Sequence, residues 1–216
     1  MTSGNATWIG KALLLAMLLA VAAATAADPQ LDALLASLAR PTPAQIGFLE
    51  LRDSPLLEAP TRTAGTLARP EEGMLVKAVD WPYRETTTIA REHVIVERTH
   101  ERTRRFALGR APELEGLLAS FDALLGADRE RLERHYRIEH ELAGPDWAIA
   151  LTPRDRRLSR RIAQVLLRGS GESLRCMELS ETSGARTVTV LGTDLEALRE
   201  AHDETLRAYC RTGTGQ

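Results

Sequence analysis

Apolar positions along this chain change their spacing several times, and each change marks an element. Behind Asp28-Pro29, Leu31, Leu34, Leu35 and Leu38 recur at helical spacing until Arg40-Pro41-Thr42-Pro43 stops them, which predicts a short amphipathic helix. The period then becomes two. Ile46, Phe48 and Glu50 share one face of a first predicted strand, with Gly47, Leu49 and Leu51 on the other. Segments 63–68, 74–81, 84–90, 93–98 and 103–108 continue as candidate strands, separated by breaks such as "RPEEG", "WP" and "AREH". In "GTLARPEEGMLVKAVDWP", two alternating strands hinge at Arg69-Pro70 and the second stops at Trp81-Pro82.

The helical period returns in "APELEGLLASFDALLGADRERLERHY". Pro112 opens it, Leu114, Leu117, Leu118, Phe121, Leu124 and Leu125 form the stripe, Gly126 ends it, and Asp128 can cap a further turn. Strands resume over 136–142, 147–152, 162–168, 173–180 and 186–191. The last segment, "TDLEALREAHDETLRAYC", reads as a second amphipathic helix or a loose tail. Short, evenly spaced strands with tight breaks predict antiparallel hairpins and not a βαβ series. Val94 and Val96 alternate with His93, Ile95 and Glu97, so both faces of that strand carry apolar side chains and both need covering. The predicted class is α+β and mostly antiparallel, with about eleven strands; a twisted sheet that wide curls or splits. A curled sheet has a concave face that helices can close over, and the domain becomes a container.

The first residues do not belong to that domain. Lys11 precedes the apolar run 12–24, and Ala24-Thr25-Ala26 follows as a small-x-small site, which together predict a secretory leader cleaved after Ala26. The run is too short to span a bilayer comfortably as an anchor. No cysteine stands at the cleavage site, so the mature chain is expected to be unlipidated and soluble outside the cytoplasm. The expected organisation is a leader over 1–26, one domain over 27–192 and a helix or tail over 193–216. The chain's formal charge is −2, and losing Lys11 makes it more acidic, which gives no electrostatic case for nucleic acid. Lys11 and Lys77 are the only lysines among 28 basic residues, a bias we read as composition. Cys176 and Cys210 are compatible with a disulfide in an exported protein, or with two buried thiols.

Catalytic patterns are missing from this sequence. His135 and His140 are five apart and cannot form the i, i+4 pair of a zinc helix, so His140-Glu141 reads as a solvated edge. His93, His100 and His202 have no metal spacing. Gly169-Ser170-Gly171 lacks the glycine spacing of a nucleophile elbow and lies between two strands, as a hairpin turn would. Glu71-Glu72 and the Glu139/Glu141 pair read as solvated carboxylates. The expectation is a protein that is not an enzyme and takes no cofactor or metal.

The stretch "TAGTLARPEEGMLVKAVDWPYRETTTIAREHVIVE" resembles the LolA family, the periplasmic lipoprotein carriers of Gram-negative bacteria. Gly65, Leu67, Arg69 and Pro70 fit the family's strand that runs from a G-x-L into R/K-P, and Leu75, Trp81-Pro82 and Val94-Ile95-Val96 fit the strands after it. "DWAIALTPRD" matches a later strand ending in L-x-P, and 162–168 the strand that follows. "PELEGLLASFDALLGAD" with "LERHYRIEHE" looks most like the branch found beside acyl-chain biosynthesis clusters. The resemblance covers most of 28–192 and fades beyond Thr193.

That resemblance implies an incomplete, half-open antiparallel barrel whose concave apolar face is plugged by short helices that cargo acyl chains displace. It implies a monomeric carrier in the periplasm, binding lipoprotein or another acylated lipid between an inner-membrane donor and an outer-membrane acceptor. In the housekeeping carrier an arginine of the R-P element holds the lid shut, and Arg69 is the matching position; on the residues alone it reads as an exposed turn arginine. Leu31, Leu34, Leu35, Leu114, Leu117, Leu118 and Phe121 are the lid candidates by stripe, and Trp81 and Trp147 complete the candidate set. The alternative is a non-catalytic scaffold subunit of an envelope complex. An acyl hydrolase would need a nucleophile and a base in reach, and the sequence offers neither.

Overall fold

The first and last strands of this protein lie side by side. In the computed structural model, which describes residues 28–193 and 195–212, β1 (Ala44–Asp53) pairs antiparallel with β11 (Arg186–Gly192), so that Phe48 faces Leu191 and Glu50 faces Thr189. From that central pair the sheet grows outward both ways. On one side run β2 (Thr61–Arg69), β3 (Met74–Trp81), β4 (Glu85–Ala90), β5 (His93–Arg98) and β6 (Arg104–Ala107). On the other run β10 (Ser173–Glu181), β9 (Ile162–Ser170), β8 (Asp146–Pro153) and β7 (Tyr136–Ala143). All eleven strands form one antiparallel sheet whose edges, β6 and β7, are not paired with each other. The barrel is half-open.

Helices occupy both faces. Helix α1 (Pro29–Leu38) starts where the Asp28 carboxylate accepts from the backbone N–H groups of Gln30 and Leu31 at 3.0 and 3.2 Å, and Pro29 fits the first turn. Between the two edge strands come α2 (Pro112–Leu125) and α3 (Arg129–His135), the latter capped by Asp128 through the backbone N–H of Arg131 at 2.8 Å. A short α4 (Arg156–Ser159) follows β8 and was not legible in the periodicity. Leu31, Leu34 and Leu35 of α1 and Leu118, Phe121 and Leu124 of α2 are buried in one cluster with strand residues such as Ile89, Val94 and Ile149. This cluster fills much of the concave side.

Beyond β11, α5 (Glu196–Arg199) and α6 (Asp203–Thr212) follow, and α6 packs on the opposite, convex face. Leu206 is buried there against Leu49, Leu51, Val188 and Val190. Cys176 of β10 and Cys210 of α6 form a disulfide with an S–S distance of 2.08 Å, resolving the choice the sequence left open. Arg62 donates to Asp203 through Nε at 2.8 Å, and Arg207 pairs with Asp53, so charge reinforces the tether. Of the closing segment's two readings, 203–212 takes the helical one. The predicted leader lies outside the described residues.

The sheet's curvature has local causes. The register of β2 on β3 shifts between Ala64 and Gly65, a bulge that turns Trp81 to the face opposite Val79. Strands β2 and β3 approach so closely there that a Cβ at Gly65 would collide with the Ala78 carbonyl. Two further shifts occur between β10 and β9. The register otherwise follows the alternation in the sequence.

Candidate functional site

The alternation of each strand decides what faces the hollow. Glu50, Thr63, Leu67, Lys77, Val79, Met177 and Thr189 all point to the concave side, where they line a chamber of about 610 Å³. That volume lies within the ~300–1,000 Å³ of small-molecule sites. A second, mostly apolar space of about 300 Å³ lies beside it, between the ends of α1 and α2 and the sheet. Leu38, Phe121, Leu124 and Leu191 line this mouth, and Leu67 and Leu75 line both spaces.

Arg69, the last residue of β2, stands at the mouth with only 5% of its surface exposed. Its Nε donates to Oδ1 of Asp122 on α2 at 3.1 Å, and its Nη1 donates to the carbonyl of Arg40, just after α1, at 3.2 Å. Asp122 is equally buried, at 6%. Burying two ions is costly unless they pair with each other. The Arg40 backbone N–H also donates to the Leu125 carbonyl at 2.9 Å, and its guanidinium reaches the Glu172 carbonyl in the β9–β10 turn at 2.7 Å. One guanidinium therefore joins the strand to both helices where they converge. The reading of Arg69 as an exposed turn residue is corrected: Pro70 ends the strand, and the side chain folds back under α2.

The other end of α1 is held by charge. The Asp28 carboxyl sits below its ordinary value because the backbone N–H of Leu31 stabilises its charged form most, with Gln30, His140 and Arg129 adding to this and partial burial opposing it. His140 Nε2 on β7 lies 3.2 Å from Asp28 Oδ2, and Arg129 of α3 reaches both the Asp28 carbonyl and the Asp32 carboxylate. His140 does lie on an edge strand, as its neighbourhood in sequence suggested, but it is half-buried and not simply solvated. It faces the cap of α1.

The floor of the chamber is polar. Lys77 Nζ lies 2.7 Å from Glu50 Oε2 and 4.9 Å from the centroid of the Phe48 ring. Arg52 pairs with Glu181 at 2.7 Å and donates to the Thr187 hydroxyl at 3.1 Å. Each of these residues sits at an inward-facing position of its strand's alternation, but polar residues there carry no stripe of the kind that marks the helices. Asp122 was missed because it adjoins Phe121 inside an apolar stripe.

The candidate residues divide into three groups. Arg69 and Phe121 line the mouth and Leu114 lines the chamber, while Leu31, Leu34, Leu35 and Leu118 lie in the adjoining concave core. The Leu117 side chain lies outside the described residues. The two tryptophans part ways. Trp81 is on the convex side with the Arg199 guanidinium 5.7 Å from its ring centroid, because of the β2–β3 bulge. Trp147 is buried in the concave core but lines neither space; it lies against Gly169, and its indole N–H donates to the Gly171 carbonyl at 2.9 Å. Among the described residues no group of three or more metal-ligating side chains occurs, and no helix is long and apolar enough to cross a membrane.

Comparison with known proteins adds to this geometry. No curated protein matches the chain in sequence. Among solved structures, the LolA superfamily protein NE2245 from Nitrosomonas europaea aligns at TM-score 0.42 and 11% identity, over 82% of this chain and 98% of that one. A putative outer membrane lipoprotein-sorting protein domain from Vibrio parahaemolyticus aligns at TM-score 0.42 and 9% identity, over 83% and 95%. The Pseudomonas aeruginosa MucA/MucB complex aligns at 0.36 and 16%, over 81% and 62%. The family model described as "Outer membrane lipoprotein carrier protein LolA-like" matches residues 21–213, nearly the whole chain, and the protein therefore belongs to the LolA-like family.

Proposed function

We propose that this protein is a periplasmic carrier that takes acyl chains of a lipoprotein or related lipid into the concave hollow and moves them between the inner and outer membranes. In this reading the leader over 1–26 exports it, and it works as a monomer without catalysing a reaction. An acyl chain leaving a bilayer loses about 0.8 kcal/mol of favourable burial per methylene, so sixteen carbons cost roughly 12 kcal/mol. A carrier offsets that loss with apolar surface, yet must release the cargo later. Helices α1 and α2 provide the compromise, because their leucines and Phe121 cover in the empty protein what the cargo covers in the loaded one. Net affinity is then a difference between two burials.

The observation that carries this reading is Arg69, whose guanidinium bonds α2 and the residue following the end of α1 at the mouth of the hollow. We assign it the role of a latch that favours the closed, empty state. The test is mass spectrometry of organic extracts from protein purified out of its native periplasm. Extracted acyl lipid at near-equimolar amount is the expected result. A stoichiometric protein partner with no lipid would favour the scaffold alternative instead.

A further inference from the structure

The chamber floor is not what a purely hydrocarbon cargo requires. Across β2, β1 and β11, Thr63, Glu50 and Thr189 lie directly opposite one another and form a polar row on the concave face. Thr189 is only 1% exposed. Both threonine hydroxyls are buried without a hydrogen-bond partner among the described residues, which is costly when left unmet. Lys77, the only lysine after the leader, closes the row from β3 by pairing with Glu50 Oε2, leaving Oε1 to accept.

Building on the carrier reading, we propose that this row is a subsite for an uncharged, hydroxyl-bearing group on an otherwise apolar chain, such as the glycerol end of a monoacylglycerol. The charges select this chemistry. Glu85, Arg104 and Arg161 also line the chamber, but at the row itself Lys77 and Glu50 neutralise one another, as do Arg52 and Glu181 beside them, so there a carboxylate meets Glu50 and an ammonium meets Lys77. A hydroxyl meets neither objection. It donates to Glu50 Oε1 and accepts from Thr63 or Thr189, so that groups orphaned in the empty protein gain partners. The apolar chain then runs from this floor along Leu67 and Leu75, which are shared with the mouth.

The test is competition against bound N-phenyl-1-naphthylamine by 1-monomyristoylglycerol, methyl myristate and sodium myristate. A merely greasy hollow ranks the methyl ester above the glycerol ester, because the methyl ester is the more apolar of the two. The subsite reverses that order, with the glycerol ester displacing the probe at about three- to tenfold lower concentration. In a Thr63→Val/Thr189→Val variant the preference collapses, while probe affinity is kept and thermal stability is unchanged or raised, since valine keeps the shape and removes two unmet hydroxyls. Equal competition in the native chain, myristate as the best competitor, or a preference that survives the double substitution overturns the subsite and leaves the carrier reading standing. Folded protein that binds neither probe nor lipid removes both.

Discussion

Arg69 and Asp122 form a buried ion pair, Nε to Oδ1 at 3.1 Å, that joins the end of a strand to the last turn of the helix above it. The same guanidinium holds the carbonyl of Arg40 after α1. Replacing Arg69 with leucine leaves Asp122, among the described residues, with only Arg131, at 3.9 Å, and is expected to cost about 3 kcal/mol in urea unfolding. If the pair favours the closed state, the same variant binds an acyl probe more tightly, because less has to be broken to admit it. Replacing both residues with leucine should recover most of the lost stability. Loss of stability accompanied by weaker binding would contradict the latch.

The cap of α1 predicts a pH dependence. A carboxyl whose value is depressed on folding adds stability above its ordinary value, here 3.8, and that stability disappears as pH falls through the depressed value. Amide protection of α1 should therefore fall below about pH 4, ahead of the central strands. Asp28→Asn keeps a capping oxygen without the charge and should flatten the response. Hydrogen exchange followed from pH 6 downward checks this, and identical profiles for the two proteins would contradict it.

The disulfide between Cys176 and Cys210 closes a loop of 34 residues, and its removal is expected to cost about 3–4 kcal/mol in denaturant. Because α6 packs on the convex side, away from both spaces, a double alanine variant that remains folded should keep its probe affinity. A large change in affinity at full folding would show that the two faces of the sheet are coupled.

How much of this was legible beforehand follows from what periodicity encodes. The strands were readable because Pro, Gly and charged breaks punctuate a period of two, and "GTLARPEEGMLVKAVDWP" folds as the hairpin of β2 and β3 that its alternation predicts. The α1 boundary was readable because Asp28-Pro29 and Pro41 fix it. Trp81 was misplaced because a one-residue bulge reverses every side chain after it, and nothing in the local sequence announces a bulge. The pairing of β1 with β11, and hence the Glu50–Thr189 neighbourhood, joins residues far apart in the chain. Likewise, Asp122 looks solvated in isolation, and only the arrival of Arg69 from another element makes its burial tolerable.

The most direct measurement of the central claim is a titration of the purified mature protein with a fluorescent fatty-acyl probe. Saturable binding at one probe per chain is the expected result, with tighter binding when Arg69 is replaced by leucine. A flat titration with correctly folded protein would contradict the account.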